Sequence, residues 1–287
     1  MHEKHAGIIF ILTASLMWAL EPIFAKLAYA SADFLHTSAI RAIFACLTSL
    51  LYIAIRDIKK ISLPSRYLPP LLYIAFVGTL FADLIYFLAL TMVPVINAVI
   101  IGHMQPLFIV LFGFFILKES LTRYDYAGMI FMMFSGIFVS SRSFSNLLSF
   151  HFGSIGDFFV LLATIAWATT AITARKYLRS IFPATIAFYR FLFASIILSA
   201  YLFLFSRLII SNLYQVIVGI IVGVGTILYY EAIHRLKAAQ VASLELSSPF
   251  FAAFLSFIIL HEIITPLQIA GILLLCIGVY LLSKKED

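Results

Sequence analysis

Very little of this chain is charged. Asp, Glu, Lys and Arg make up 11% of its 287 residues, while a soluble domain carries about 25%. With 63% hydrophobic residues, no soluble fold could hide the apolar surface, so lipid must be the main solvent. Cysteine is nearly absent. Cys46 and Cys276 both sit in apolar runs, at no metal or disulfide spacing, and read as small buried hydrophobes. There is no phosphate-binding glycine loop, which excludes ATP as the energy source. His261 and Glu262 begin like a zinc-protease helix, but Thr265 stands where the second ligand histidine is required, so neither a metal nor a cofactor is expected. The first apolar run, from Gly7, is too long for a signal core and reads as a retained helix.

What the chain does have is apolar segments. A membrane-spanning helix needs roughly 20 apolar residues. Ten segments qualify: 7–29, 34–55, 69–91, 94–117, 124–141, 155–177, 184–206, 211–234, 238–260 and 266–283. Runs such as 107–117 and 250–260 are apolar on every face, unlike the alternating strands of a barrel. With the N-terminus placed in the cytoplasm, fourteen Lys and Arg fall in inside segments, including Lys4, Arg56, Lys59, Lys60, Arg123, Arg235 and Lys285. The outside loops hold only Arg142 and Arg207. That bias predicts a multi-pass plasma-membrane protein with both termini cytoplasmic. The +6 net charge is therefore topogenic and not a nucleic-acid signal.

The chain also resembles itself. Trp18, Ala19, Ala25 and Lys26 recur 149 residues later as Trp167, Ala168, Ala174 and Arg175, and Arg41 recurs as Arg190. Further on the offset is 143. There Tyr86 matches Tyr229, Pro106 matches Pro249, and Leu117, Lys118 and Glu119 match Leu260, His261 and Glu262, while Gly128 matches Gly271. Five spans per half is an odd number, so the second half enters from the opposite side. The expected fold is an all-α membrane protein of ten transmembrane helices, a 5+5 inverted-topology repeat with halves 1–143 and 144–287.

Paired helix breaks point to a binding site. A proline inside a helix frees the carbonyl four residues earlier. Pro106 would free Gly102 and Pro249 would free Glu245, at matching mid-span positions. Ionisable groups inside the bilayer are costly and default to functional candidates. Glu21, Asp83, His103 and Glu245 lie in the middle third of their spans, and Glu231 lies near an end, four residues before Arg235. Burial disfavours a charged carboxylate, so Glu21, Asp83 and Glu245 are candidates for proton coupling. Trp18 and Trp167 sit mid-span, where an interfacial belt does not explain them. Trp18, Glu21, Asp83, Tyr86, His103, Trp167, Tyr229 and Glu245 are the expected cavity lining. Arg41 and Arg190, just inside their spans, read as snorkelling toward loop carboxylates. Lys26 would meet substrate or Glu21. Glu119 and Glu262 end helices, where the dipole disfavours a carboxylate, and read as loop-capping or gate residues that need a partner. The Gly219 and Gly223 spacing is a helix-packing signal.

The Trp-Ala and Ala-Lys/Arg elements, with Pro106, Glu119 and Gly128 and their counterparts, resemble the drug/metabolite transporter superfamily, in particular its EamA-type branch. The resemblance covers nearly the whole chain. It implies a secondary transporter with a central cavity and alternating access, acting as an exporter of small metabolites such as amino acids or related amphipathic solutes. In it, the first four helices of each half would form the core. Partners would be that small solute, the bilayer and candidate coupling protons, in a monomer. A facilitative uniporter and an intramembrane enzyme are the alternatives. An impermeant thiol reagent tests the topology: Lys285→Cys should resist labelling in intact cells, and ready labelling from outside would overturn it.

Overall fold

The computed structural model describes residues 2–118, 120–151, 153–178, 180–233, 235–236, 241 and 244–283. Glu119, Arg179, Lys237, Lys284 and Lys285 lie outside the described residues. The described residues are helical, with no strand among them. Six helices are long and apolar enough to cross a membrane, and three shorter apolar ones accompany them.

Local chemistry explains where the helices start. α1 (His2–Ala28) runs into α2 (Phe34–Asp57), whose first turn is capped by the Asp33 carboxylate accepting from the His36 backbone N–H. After two short 3-10 turns, Pro69 and Pro70 open α3 (Leu68–Tyr73), since proline suits a first turn that needs no donor. A π-helical stretch, Ile74–Asp83, then continues into α4 (Leu84–Ala89). α5 (Val95–Gly102) follows Pro94. α6 (Gln105–Leu117), α7 (Arg123–Ser141), the short α8 (Phe144–Leu148) and α9 (Ile155–Tyr177) come next. α10 (Pro183–Phe205), α11 (Leu213–Ile233), α12 (Ser247–Leu260) and α13 (Pro266–Leu282) complete the chain.

The sequence likeness between the halves has counterparts in local structure. α6 ends at Lys118 and α12 at His261, both left-handed, with φ of 58° and 55°. Each of these residues donates its backbone N–H five residues back, to the Gly113 and Ser256 carbonyls. α7 and α13 each begin with a capping box, Thr122 with Asp125 and Thr265 with Gln268. The expected fourth span is two helices, α5 and α6, separated by a turn at His103 and Met104. Pro106 therefore sits in the first turn of α6, where its missing N–H costs nothing. Leu246 makes the matching turn before α12, so Pro249 also lies in a first turn.

In the bundle, α1 packs along α11 and α12, and α2 along α10 and α11. α9 packs against the π-helical stretch, α4 and α6, while α7 pairs with α13. Glycine sets the close approaches. A Cβ at Gly219 would lie 2.6 Å from the Phe44 Cβ and 2.7 Å from the Arg41 carbonyl oxygen, and one at Gly223 would lie 2.7 Å from the Thr48 Cβ. The two glycines thus let α11 lie directly on α2. Gly128 and Gly278 do the same for α7 and α13, since a Cβ at Gly128 would meet the Gly278 carbonyl oxygen at 2.7 Å. Gly219→Leu should therefore destabilise the protein by about 1–3 kcal/mol through overpacking. The exposed neighbour change Ile220→Ala should cost far less, and thermal unfolding in detergent compares the two.

Candidate functional site

The charges selected from the sequence lie on separate helices, and a low-dielectric interior forces each of them to find a partner. α1 carries Glu21 next to Pro22, a proline inside the helix that leaves the Trp18 carbonyl without its usual donor. α2 carries Arg41. The π-helical stretch ends on Asp83. Such stretches are frequent at functional sites because they shift the facing of the residues beyond them.

These elements bring their charges into one network. Arg41 donates from Nε to Glu21 Oε1 at 2.6 Å and from Nη1 to Asp83 Oδ2 at 2.8 Å. From α10, Arg190 Nη2 donates to Asp83 Oδ1 at 3.0 Å and Oδ2 at 3.2 Å. From α9, the Trp167 indole N–H donates to Asp83 Oδ1 at 2.7 Å. Arg190 also holds Thr79 Oγ1 through Nε at 2.7 Å. The Gly78 carbonyl, within the π-helical stretch, accepts from both Trp167 and Arg190 at 3.2 Å. Phe191 lies under both guanidinium groups, 5.5 Å from that of Arg41 and 5.3 Å from that of Arg190. Two carboxylates thus balance two guanidiniums. Three members are nearly sealed, with side-chain exposure of 3% for Asp83, 5% for Arg41 and 11% for Glu21, whereas Arg190 keeps 25%.

The arginines correct the snorkelling reading. Neither reaches for a loop carboxylate, because Glu21 and Asp83 are closer and would otherwise be buried unpaired. The signal was present in the sequence as two basic and two acidic groups inside spans, with the arginines at equivalent repeat positions. What it lacked was the relative rotation of α2 and α10.

The other selected residues divide. Tyr86 packs against Trp167 with ring centres 5.2 Å apart and the rings tilted by 55°, which joins it to the network. Trp18 packs on Tyr229 at 5.0 Å, so the same Trp–Tyr contact occurs with the halves exchanged. His103 stays outside the network; its Nδ1 lies 2.8 Å from the Val99 carbonyl one turn back, at the α5 break. Glu245 sits beside α1, where its backbone carbonyl lies 3.5 Å from Ser15 Oγ, and it is not brought to Asp83.

Charge clusters also close both ends of the bundle. Lys26 meets Glu262, not Glu21, at 2.9 Å. Glu262 accepts from the Val95 backbone N–H at 2.8 and 2.9 Å, so it caps α5 while binding α1. At the other end Glu231 accepts from Tyr52 and Arg235, and Arg56 stands 3.7 Å away. A third buried cluster was not anticipated. Asn97 donates to Asp157 at 2.9 Å and accepts from Gln268 at 2.6 Å, tying α5, α9 and α13 together. A hollow of about 400 Å³ near Asp33, His36 and Arg207 contains none of the selected residues.

The sequence profile of the EamA-like transporter family matches residues 5–142 and 154–284. An uncharacterized transporter of Methanothermobacter thermautotrophicus is 29% identical over 219 residues, which is 74% of this chain and 63% of that protein. An uncharacterized transporter of Archaeoglobus fulgidus is 27% identical over 284 residues, 96% of this chain and 97% of its own. A solved crystal structure shares the fold, with a TM-score of 0.66 over 97% of both chains at 18% identity.

Removing Arg41 should be the most damaging single change in the network. Arg41→Met leaves Glu21 and Asp83 facing one another in a buried setting, at a cost of about 3–5 kcal/mol. Adding Glu21→Gln, which leaves Asp83 balanced by Arg190, should recover much of that loss in detergent unfolding. Equal losses in the single and double variants would show that charge balance is not what Arg41 supplies.

Proposed function

The chain belongs to the EamA-like transporter family, and from that premise we propose that it is a secondary active transporter of small amphipathic metabolites, such as amino acids, working by alternating access. It is a membrane transporter by family. Its substrate, coupling and direction are our reading. The observation that carries the reading is the charge-balanced network of Glu21, Arg41, Asp83 and Arg190, held by five elements drawn from both halves of the chain. Changing the charge of one member alters which helix arrangement is preferred, which is what coupling requires.

The ten spans would form a 5+5 inverted-topology repeat, with residues 1–143 and 144–287 as the halves and both termini cytoplasmic. Support comes from the exchanged Trp18–Tyr229 and Trp167–Tyr86 contacts and the matching ends at Lys118 and His261. Rocking one half against the other would open the ends in turn. Lys26 with Glu262 would latch the outer end, and Glu231 with Tyr52 and Arg235 the inner one. Trp18, Tyr86, Trp167, Tyr229, His103 and Glu245 would line the route between them. Protons are the proposed coupling ion, carried by Glu21, Asp83 or Glu245, because a protonated carboxylate removes a charge from low dielectric. Antiport gives export.

Proteoliposomes test this. Glu21→Gln, Asp83→Asn and Glu245→Gln are each assayed for flux driven by a pH gradient and for solute counterflow. A coupling residue should lose the first and keep the second. If all three respond to the gradient as the parent does, proton coupling is wrong and facilitated uniport replaces it. Recovery of a chemically altered solute would point to an intramembrane enzyme.

A further inference from the structure

Arg190 differs from its repeat counterpart in one respect. Arg41 is nearly sealed, with its side chain 5% exposed between two carboxylates and the faces of Phe87 and Phe191. Arg190 is 25% exposed and has a single carboxylate. Its Nε is taken by Thr79 and its Nη2 by the Gly78 carbonyl and Asp83. Among the described residues no group accepts from its Nη1. A partly open guanidinium inside a membrane bundle faces protein or a water-filled route and not lipid. It is also the more accessible of the two cations of the network.

We propose that Arg190 Nη1 is the anchor for the carboxylate of the transported solute, so that this transporter takes monocarboxylates or the carboxylate end of a zwitterion. The inference rests on the transporter reading above. Three features of the site set the ligand class. Arg190 is held in place by Thr79, Gly78 and Asp83, so its open edge is already oriented and little side-chain freedom is lost on binding. That edge offers one nitrogen, which suits one carboxylate oxygen end-on and not the several oxygens of a phosphate. The network is neutral as it stands, so a monoanion adds one uncompensated negative charge and a dianion adds two. Beside Arg190 stand the rings of Phe191 and of Trp167, which Tyr86 extends, and these suit an apolar body behind the carboxylate. Asp83 is in effect an internal carboxylate on the same guanidinium. Its charge opposes the ligand while it orients the anchor.

The test uses the full-length protein in detergent at neutral pH, with ligand-dependent thermal shift as the readout. Phenylacetate, inorganic phosphate and 2-phenylethylamine are the probes, chosen to vary the charged group. Phenylacetate should raise the unfolding midpoint of the parent, and the other two should not. Arg190→Gln should weaken phenylacetate binding about ten- to a hundredfold, as expected for loss of a charge-assisted hydrogen bond. Asp83→Asn should tighten it severalfold, a gain that a purely structural role would not produce. If Arg190→Gln does not fold, the Asp83→Asn arm decides, and no gain there overturns the anchor. The proposal also fails if phenylacetate leaves the parent unshifted, if Arg190→Gln binds it as the parent does, or if phosphate or the amine takes its place. Counterflow of the same probes in proteoliposomes separates the two readings. Flux of the amine without flux of phenylacetate sinks the anchor and leaves a transporter. Absence of flux for amino acids and all probes alike sinks the transporter reading itself.

Discussion

Arg41 holds two carboxylates from two other helices at once, and much of the bundle is arranged around that interaction. A charge inside a low-dielectric interior needs a partner of opposite sign and a full set of hydrogen bonds. Glu21 depends on Arg41 for this and Asp83 shares Arg41 with Arg190, so α1 cannot leave α2 without exposing an unpaired charge. Arg190 and Trp167 extend the same requirement to α9 and α10. The network does not need to be strongly stabilising to define the arrangement. Its members are costly in any other one.

The same constraint underlies the transport role proposed for the network. A neutral set of two guanidiniums and two carboxylates has no net field to compensate, so it can be buried. Adding or removing one proton or one anion ends that balance. The helix breaks at His103–Met104 and Leu246 lie in the helices that flank α1, and there the chain can bend without losing regular backbone bonds along a whole span. The end clusters work on a different scale. Lys26 with Glu262 is partly open to solvent, so water can replace its bonds when the helices part. A sealed network in the middle with partly hydrated pairs at the ends suits the alternating opening proposed above.

Packing in the apolar parts follows from the solvent. Lipid tails are as apolar as leucine, so helices gain nothing from hiding apolar surface and rely on close fit. Gly219 and Gly223 bring α11 onto α2, and Gly128 with Gly278 brings α7 onto α13. The Asn97, Asp157 and Gln268 cluster adds polar bonds where α5, α9 and α13 meet. Ser135 does so once more, donating to the Gly271 carbonyl at 2.7 Å. Of these glycines Gly128 has a repeat counterpart, Gly271, and both lie where α7 and α13 meet.

The sequence by itself determined the class of the protein, its apolar spans, the paired prolines, the glycine packing faces and the presence of costly charges at Glu21 and Asp83. All of these depend on composition and spacing along one segment, which is where helix formation and membrane partition are decided. Sequence was silent on partners. It could place Arg41 and Lys26 at a depth and on a face, but not say which helix that face would meet. Only the tertiary structure decided that Arg41 turns inward to Glu21 and Asp83, that Lys26 crosses to Glu262, and that Trp18 and Trp167 exchange their tyrosines between halves. It also placed His103 and Glu245 apart from the network that their depth had suggested they would join. Depth is a property of one helix, whereas a contact depends on the rotation and crossing of two, and those are set by the packing of the whole bundle.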